Sequence, residues 1–484
     1  MVSLACPAAD TATATAPDTV TDTAAETETA ADTDTETAAD TDTETAADTD
    51  TDTDTDTDTD TDTDTETAAD TETASDTATD TAPEAPPPVI GWDEIPCDRP
   101  DHWLHAITSD DPPLVLHYEV AADADVAAQV LAYLVAAWDQ QVGALGFRPP
   151  LTDGELCGPD DRFDAFLWKG MEASYVDVLD TWEATAWDDW IPYLVVDPWG
   201  PYGGELLDVT VAHELNHACQ AADDWWESAI AFEMTSTWIE AKAHPEDTSW
   251  YLMLEDFQSR PDWALDWDDG YVTWYMYGAA LLLHFLEARY FGAVPGFAGE
   301  MWLRSRNPPG ADVDPSLNEP DFEDALDSLL QEHAGLTFLD AVVEFARWRW
   351  FTGARDDGQH FAFGAALPDS AEVPLAAELS PGDGKVKLEP MPMMLGSAYA
   401  RIHGAPGAQV SVGFEGSGPK KVAWVVQTVD GGTLDVESGP VLVTLDDTGS
   451  RVVVVTALPL GENDPDTRTD QRFAPLLVVG AVEP

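Results

Sequence analysis

The residues from His213 to His217 read His-Glu-Leu-Asn-His, and they are the group in this chain most able to carry chemistry. Residues four apart lie on the same face of an α-helix, so the two imidazoles can bind one metal ion. Histidines at this spacing are typical zinc ligands, and the glutamate between them is placed to act on a zinc-bound water. The pattern therefore predicts a hydrolytic zinc centre in which Glu214 is the catalytic residue.

A catalytic zinc ion needs a third protein ligand, with a water in the fourth position. Apolar periodicity predicts that the motif lies in a helix over about 208–222 and that a second helix runs from Ser228 to about Ala243. The acids that could supply the third ligand are, in chain order, Glu227, Glu233 and Glu240.

The rise of a helix separates these three acids, because the second helix must return past the level of His217 to reach the metal. At about 1.5 Å per residue, that level is regained about five to nine residues into the second helix, which selects Glu233 or Thr237. Glu227 falls in the turn between the helices, and Glu240 overshoots the metal by about 10 Å. Thr237 and Glu240 share the helix face of Glu233, where they are predicted to hydrogen-bond a ligand histidine.

Hydrophobic periodicity also predicts the elements that surround the motif. Helices are predicted at Asp125–Val142, Trp274–Tyr290, Asp321–His333 and Phe338–Phe351. Strands are predicted at Leu114–Val120, Phe163–Trp168 and Ile191–Val196. A small sheet combined with several helices indicates an α+β domain, which we assign to residues 89–380.

The character of the sequence changes near Val386, after which short apolar segments alternate with Gly and Asp turns. The segments are Val410–Phe414, Val422–Thr428, Val441–Leu445, Arg451–Thr456 and Leu476–Val479. Strands of this length and spacing are typical of a β-sandwich. We therefore expect a second domain over residues 381–484, with the boundary between 370 and 390.

Acidic residues dominate the charge of the chain. Its 484 residues include 94 Asp and Glu but 20 Lys and Arg, which gives a formal net charge of −74. Residues 1–88 hold 26 of the acids and no basic residue, so residues 89–484 still carry 68 acids against 20 bases. Such a surface repels nucleic acid and anionic lipid, and the sequence has no apolar run long enough to predict a transmembrane helix.

The first 88 residues are predicted to be a long disordered, acidic stalk. Residues 10–88 repeat Thr-Asp, Thr-Glu and Thr-Ala-Ala-Asp, which cannot bury enough apolar surface to fold. Residues 3–6, Ser-Leu-Ala-Cys, are similar to the end of a bacterial lipoprotein signal, in which the cysteine is lipidated. The basic and apolar parts of such a signal are missing, so either the true start lies upstream of Met1 or the match at Cys6 is accidental.

The other cysteines divide into a candidate pair and a single thiol. Cys97 and Cys157 flank the first globular segment and could form a disulfide in an oxidising compartment, although sequence cannot establish connectivity. Cys219 lies about 200° around the helix from His217. It therefore points away from the histidine face, and we predict a buried thiol rather than a ligand.

The motif and its surroundings resemble the gluzincin-type zinc metallopeptidases. The order is His-Glu-x-x-His-Ala-x-Gln, followed at Glu233 by Glu-Met-Thr-Ser-Thr-Trp. It is most similar to a poorly characterised family of secreted bacterial metallopeptidases, in which the second helix carries Glu-Gly-Thr-Ala-x-Trp. Supporting blocks lie at Gly143–Pro150, Tyr277–Leu281 and Phe345–Gly353, so the resemblance covers about residues 100–365. Met234 departs from the glycine that the family has at this position.

The resemblance and the residues together imply a zincin-like fold with one Zn²⁺ held by His213, His217 and Glu233. Glu214 would take a proton from the metal-bound water and pass it to the leaving amine. A donor to the transition state is also expected from the following helical segment, where the candidates are Tyr271, Tyr275, Tyr277 and His284. The strand around Tyr193–Val196 is predicted to pair with an extended peptide substrate.

The leading hypothesis is a zinc-dependent endopeptidase that acts on protein or peptide substrates, either anchored to the bacterial surface through Cys6 or secreted. The alternative is a non-catalytic, stalked surface-binding protein that retains the zincin fold. Oligomeric state is not predicted.

Calcium has no defined site in the sequence. The segment Asp312–Asn318, with Glu323 beyond it, weakly resembles a calcium-binding loop. It lacks the glycine and contains prolines, so we predict a turn instead.

Overall fold

The computed structural model describes residues 4–5, 103–154, 160–170, 173–181, 185–311, 317–417, 422–461 and 463–482. These residues belong to one compact unit with a mixed α+β fold. The predicted lipid attachment at Cys6, the stalk over residues 10–88 and the candidate pair Cys97 and Cys157 lie outside the described residues.

The N-terminal sheet has six strands. They are β1 (Leu4–Ala5), β2 (His105–Asp110), β3 (Pro113–Tyr118), β4 (Phe163–Leu167), β5 (Tyr175–Thr181) and β6 (Trp190–Val196). The strand order is β1-β5-β6-β4-β3-β2. Strand β4 runs parallel to both of its neighbours, and the other pairings are antiparallel. Strands β1, β2 and β5 were not predicted from the sequence.

Strand β6 lies in the interior of this sheet, which corrects one expectation from the sequence. Leu194 pairs with Ala165 of β4 on one side and with Val176 of β5 on the other. A strand with neighbours on both sides has no free edge to offer. The prediction that Tyr193–Val196 binds an extended peptide by strand addition is therefore wrong.

Helices cover the sheet and continue beyond it. They are α1 (Ala124–Trp138), α2 (Leu207–Ala221), α3 (Ala229–Ala243), α4 (Leu254–Ser259), α5 (Tyr275–Gly278), α6 (Ala280–Leu286), α7 (Phe297–Ser305), α8 (Phe322–Ala334) and α9 (Phe338–Trp348). Helix α2 packs against α1, α3, β5 and β6. It therefore lies in the middle of the core, with α3 beside it.

Helix α1 and its continuation, Ala121–Ala144, are long and apolar enough to cross a membrane by length and composition. The same helix packs on β2, β3 and α2 through one buried stripe that includes Val130 and Leu134. A core helix of a folded domain passes the same test, so this observation is weak evidence for a membrane span.

The apolar segment Trp274–Tyr290 was predicted to be one helix, but it divides into α5 and α6 and ends in a π-helical turn, Glu287–Phe291. A Cβ added at Gly278 would lie 2.6 Å from the carbonyl oxygen of Met253 and 2.6 Å from the Cβ of Phe257. The absence of a side chain at Gly278 therefore allows α5 to lie directly against α4.

The C-terminal part contains two four-stranded sheets. Their strands are β7 (Ala377–Leu379), β8 (Gly384–Lys387), β9 (Ser397–His403), β10 (Gln409–Ser417), β11 (Val422–Thr428), β12 (Val441–Thr444), β13 (Ser450–Pro459) and β14 (Ala474–Ala481). One sheet has the order β12-β10-β14-β8 and the other β11-β13-β9-β7. Buried residues from both sheets, among them Val412 and Val455, form one hydrophobic cluster. Strands β7 to β9 were not predicted.

Candidate metal centre

The two helices that carry the predicted ligands are uninterrupted, because no Pro or Gly occurs between Glu205 and His244. Helix α3 ends at Ala243, directly before His244 and Pro245, where the predicted stop lies. Almost every residue of α2 is buried, including its polar ones. Polar side chains are placed this deep in a fold when they have partners or a ligand.

The structure brings His213, His217 and Glu233 together, each about 97% buried or more. The two Nε2 atoms are 3.0 Å apart. Glu233 Oε2 is 3.2 Å from His213 Nε2 and 3.7 Å from His217 Nε2. One ligand atom from each residue thus converges on a single point, and the three atoms are close enough to share one metal ion.

The outer nitrogen of His213 is held by Glu240. Nδ1 of His213 lies 2.6 Å from Glu240 Oε1, so Glu240 has the supporting position that helix-face geometry predicts for it. Thr237 does not take that role, since its buried hydroxyl makes no hydrogen bond within the described residues.

The outer nitrogen of His217 is held by residues that the sequence reasoning did not single out. Nδ1 of His217 lies 2.8 Å from Gln220 Oε1 and 3.2 Å from the hydroxyl of Ser236. The amide nitrogen of Gln220 donates to Asn216 Oδ1 at 2.9 Å and to the Phe232 carbonyl at 3.1 Å, which orients its oxygen toward the histidine. The role of Gln220 could have been predicted from the sequence, because this residue lies about one helical turn after His217.

These outer contacts determine what the inner nitrogens can do. Glu240 and Gln220 both present oxygen acceptors, so each histidine uses its Nδ1–H as a donor. The two Nε2 atoms then face each other and the Glu233 carboxylate in a buried space. Burial alone would raise the pKa of Glu233, but the adjacent His217 and His213 outweigh it and lower the pKa to about 2. One carboxylate oxygen and two imidazole nitrogens that converge in a buried space can share one metal ion.

Glu214 lies next to this point but has a different environment. It is buried, and its Oε2 makes no hydrogen bond within the described residues. Burial raises the pKa of Glu214 to about 7, with His213 and His217 opposing the shift. A buried carboxylate oxygen without a hydrogen-bond partner can accept a proton from a group placed beside it.

A cavity of about 190 Å³ opens on His213 and Glu214. Its wall is mainly apolar, and the lining residues include Leu206, Val209, Leu252, Met253 and Trp274. Leu252 is 74% exposed, so apolar surface extends from the cavity to solvent. The cavity thus offers space for an apolar group directly beside the candidate metal centre.

The structure distinguishes between the two tyrosines of α5 that were predicted to donate a hydrogen bond in the transition state. The ring of Tyr277 lies nearly parallel to that of His213, with the centroids 6.0 Å apart. The hydroxyl of Tyr275 instead donates to the Ala264 carbonyl at 2.7 Å, which removes Tyr275 as a candidate.

The other two candidates for this hydrogen-bond donor are His284 and Tyr271. His284 stacks on Trp250, and burial lowers its pKa to about 3, so it is a neutral core histidine. Tyr271 has a φ of 62° in the turn before α5.

Two other residues near the motif are not ligands. Glu227 lies in the turn between α2 and α3, and its Oε1 accepts a hydrogen bond of 2.7 Å from the Ser228 backbone N–H. Cys219 is a free thiol buried in the hydrophobic core, where a buried thiol was expected.

Comparison with known proteins adds little to these observations. No family model and no curated protein matches the chain. Among solved structures, the P-domain of the Penaeus vannamei nodavirus matches with 13% identity, and the match covers 21% of this chain and 97% of that chain. Its TM-score is 0.14, which supports no conclusion about fold or function.

Proposed function

We propose that this protein is a zinc metallopeptidase, and the convergence of His213, His217 and Glu233 carries the proposal. Two ligands bound at about 2.05 Å to a tetrahedral zinc ion lie about 3.3 Å apart. The three pairs of ligand atoms are separated by 3.0, 3.2 and 3.7 Å. Two imidazoles and one carboxylate are also a typical donor set for a catalytic zinc site that leaves one position open.

The side chains around the ligands have the supporting contacts that such a site needs. Glu240 and Gln220 accept from the outer nitrogens of the two histidines, which keeps both inner lone pairs directed at one point. The zinc ion would supply Lewis-acid polarisation of a carbonyl group and acidification of a water molecule. Glu214 would hold the proton taken from that water and deliver it to the leaving amine nitrogen.

The surroundings of the site favour a peptide as substrate. The apolar cavity beside Glu214 can receive an apolar side chain while the adjacent carbonyl lies at the ligands. Tyr277, stacked near His213, is the tyrosine that we assign as a donor to the developing oxyanion. Because β6 is interior, a peptide would have to pair with an edge of this sheet, which is either β2 or the part of β5 beyond its short contact with β1.

The fold that we propose is zincin-like for residues 89–380, with a β-sandwich over residues 381–484. In support of this fold, α2, which carries the His-Glu-x-x-His sequence, packs against α3, which carries Glu233, and against strands β5 and β6 of the sheet. The two C-terminal sheets share one buried cluster, as the two layers of a sandwich do. An extracytoplasmic location, with a lipid anchor at Cys6 or with secretion, rests on the sequence signals at the N-terminus.

The test compares cleavage of an unstructured protein by the wild type, Glu214→Gln and Glu205→Gln, with zinc content measured in each. Glu205 is an exposed acid just before α2 and serves as the matched control. We expect Glu214→Gln to retain one zinc and to lose at least about 100-fold in turnover, as removal of a general base does. A zinc-loaded wild type that cleaves nothing in a broad peptide library would favour the non-catalytic binding protein instead.

A further inference from the structure

A second group of acids meets where the β13–β14 connection reaches the start of α8. One oxygen atom from each of Glu319, Asp321 and Asp464 lies within 4.8 Å of the others. Asp321 is 1% exposed, whereas Glu319 and Asp464 are half-buried. Glu227 and Glu323 lie beside these three and interact electrostatically with Asp321. We refer to the five residues as the Asp321 cluster.

Several carboxylate oxygens of the Asp321 cluster are buried without a hydrogen bond. Oδ1 of Asp321 accepts from the backbone N–H groups of Glu323 and Asp324 at 2.7 and 2.9 Å and thereby caps α8. Oδ2 of Asp321 has no hydrogen-bond partner among the described residues. The same holds for Oε2 of Glu227 and for both carboxylate oxygens of Glu323, although these residues are 95% and 97% buried. In a folded protein, buried oxygens in this condition point to a missing partner.

Among the residues that the structure describes, one basic side chain contacts the cluster. It is Arg468, whose Nη2 lies 3.8 Å from Glu323 Oε2. The guanidinium of Arg468 is already engaged by Asp266, which accepts from its Nε at 2.6 Å. Burial, and after it the neighbouring carboxylates, raise the pKa values of Glu227, Asp321 and Glu323. At neutral pH these groups therefore need either protons or a bound cation.

We propose that the Asp321 cluster binds a calcium ion, with Glu319, Asp321 and Asp464 as its direct ligands. All the donors are oxygen atoms, which suits a hard cation and not zinc. Two oxygens that bind one calcium ion at about 2.4 Å can be at most about 4.8 Å apart, the limit within which these atoms lie. Ligands from irregular segments suit the flexible coordination of calcium better than the octahedral geometry of magnesium.

The position of the cluster indicates what the ion does. Asp464 belongs to the connection between two strands of the C-terminal sheets, and Asp321 caps α8. Glu227 lies in the turn that leads into α3, the helix that carries Glu233. A calcium ion at the cluster would tie these segments together and neutralise the acids beside that turn. Calcium therefore raises the stability of the fold around the candidate metal centre without being part of it.

The experiment measures calcium binding by isothermal titration calorimetry on the full chain, previously freed of calcium by passage over a chelating resin. Salt at about 0.15 M screens diffuse attraction of calcium to the acidic N-terminal repeats. The variants are Asp321→Asn, which keeps Oδ1 as the cap of α8, and Asp464→Asn. Asp447→Asn is the control, because Asp447 is an exposed acid in a loop of the same C-terminal sheets. Circular dichroism and zinc content report whether each variant is folded.

We expect one saturable calcium site in the wild type and in Asp447→Asn. Binding weakens at least about tenfold in Asp321→Asn and Asp464→Asn, because each loses one charged ligand. The wild-type melting temperature rises with calcium, whereas that of the two ligand variants does not. If Asp321→Asn does not fold, Asp464→Asn decides the question. Unchanged binding in the ligand variants, no saturable site in the wild type up to about 10 mM calcium, or equally tight binding of magnesium would overturn the proposal.

Discussion

Replacing Glu240 with glutamine should weaken zinc binding and leave the fold intact. Glu240 Oε1 lies 2.6 Å from His213 Nδ1, and the Glu240 side chain is 7% exposed, so the two form a short, buried, charge-assisted hydrogen bond. This contact holds the imidazole with its Nε2 toward Glu233. Glutamine has nearly the same shape and retains an acceptor oxygen. The substitution therefore removes the charge and keeps the geometry.

The magnitude follows from the role of such a partner. Removing the group behind a ligand histidine lowers metal affinity about 10- to 100-fold, which corresponds to about 1.4 to 2.7 kcal/mol. Glu240→Gln should lie near the lower value because an acceptor remains. Glu240→Ala should lie near the upper value, since it leaves the Nδ1–H of His213 buried without an acceptor.

The zinc dissociation constant is measured by competition with a chromophoric chelator for the wild type, both Glu240 variants and Glu246→Gln. Glu246 is an exposed acid just beyond α3, so its variant makes the same chemical change away from the ligands. We expect wild-type affinity for Glu246→Gln. An affinity of Glu240→Ala within about twofold of wild type would refute the view that Glu240 positions His213.

The remaining predictions concern packing, substrate preference and pH. Gly278→Ala should lower the free energy of unfolding by about 1–3 kcal/mol, because its Cβ would meet Met253 and Phe257 at 2.6 Å. Gly143→Ala has nothing within 4 Å and should be near neutral in the same urea titration, so equal effects would contradict this account. Leu252→Asp should reduce kcat/KM for substrates with apolar side chains about tenfold, whereas Leu442→Asp, remote on β12, should not. The Asp321 cluster contains acids with raised pKa values, so in calcium-free buffer the free energy of unfolding should fall as pH rises from about 5 to about 8. Calcium at about 5 mM should remove most of that slope, and a flat calcium-free profile would show that these carboxylates are not held unpaired.

Much of the candidate site was predictable from sequence because it depends on the geometry of two helices. The spacing of His213 and His217 places them on one face whatever surrounds the helix. Helical rise selects Glu233 over Glu227, and the structure places Glu233 Oε2 within 4 Å of both histidines. The helix-face argument also anticipates the contact of Glu240 with His213.

Other features depend on contacts between distant segments, which periodicity does not report. Tyr275 and Tyr277 are equivalent candidates in the sequence. The close packing of α5 against α4 at Gly278 accompanies the placement of Tyr277 beside His213, whereas Tyr275 donates to the Ala264 carbonyl. The interior position of β6 was missed because it depends on β5, a strand whose alternation is too weak to predict.

The sequence by itself determined the local chemistry of this protein. It showed which helix carries the histidines, which acid of the next helix lies level with them, and how acidic the chain is. Those properties follow from a repeat of 3.6 residues per turn and from composition, and both are local. The tertiary structure alone decided what surrounds that chemistry. It places Gln220 and Ser236 behind His217, opens an apolar cavity at Glu214, and brings Asp464 to Asp321, which lies 143 residues earlier in the chain. These contacts depend on how the whole core packs, because they join side chains from segments that are distant in the sequence.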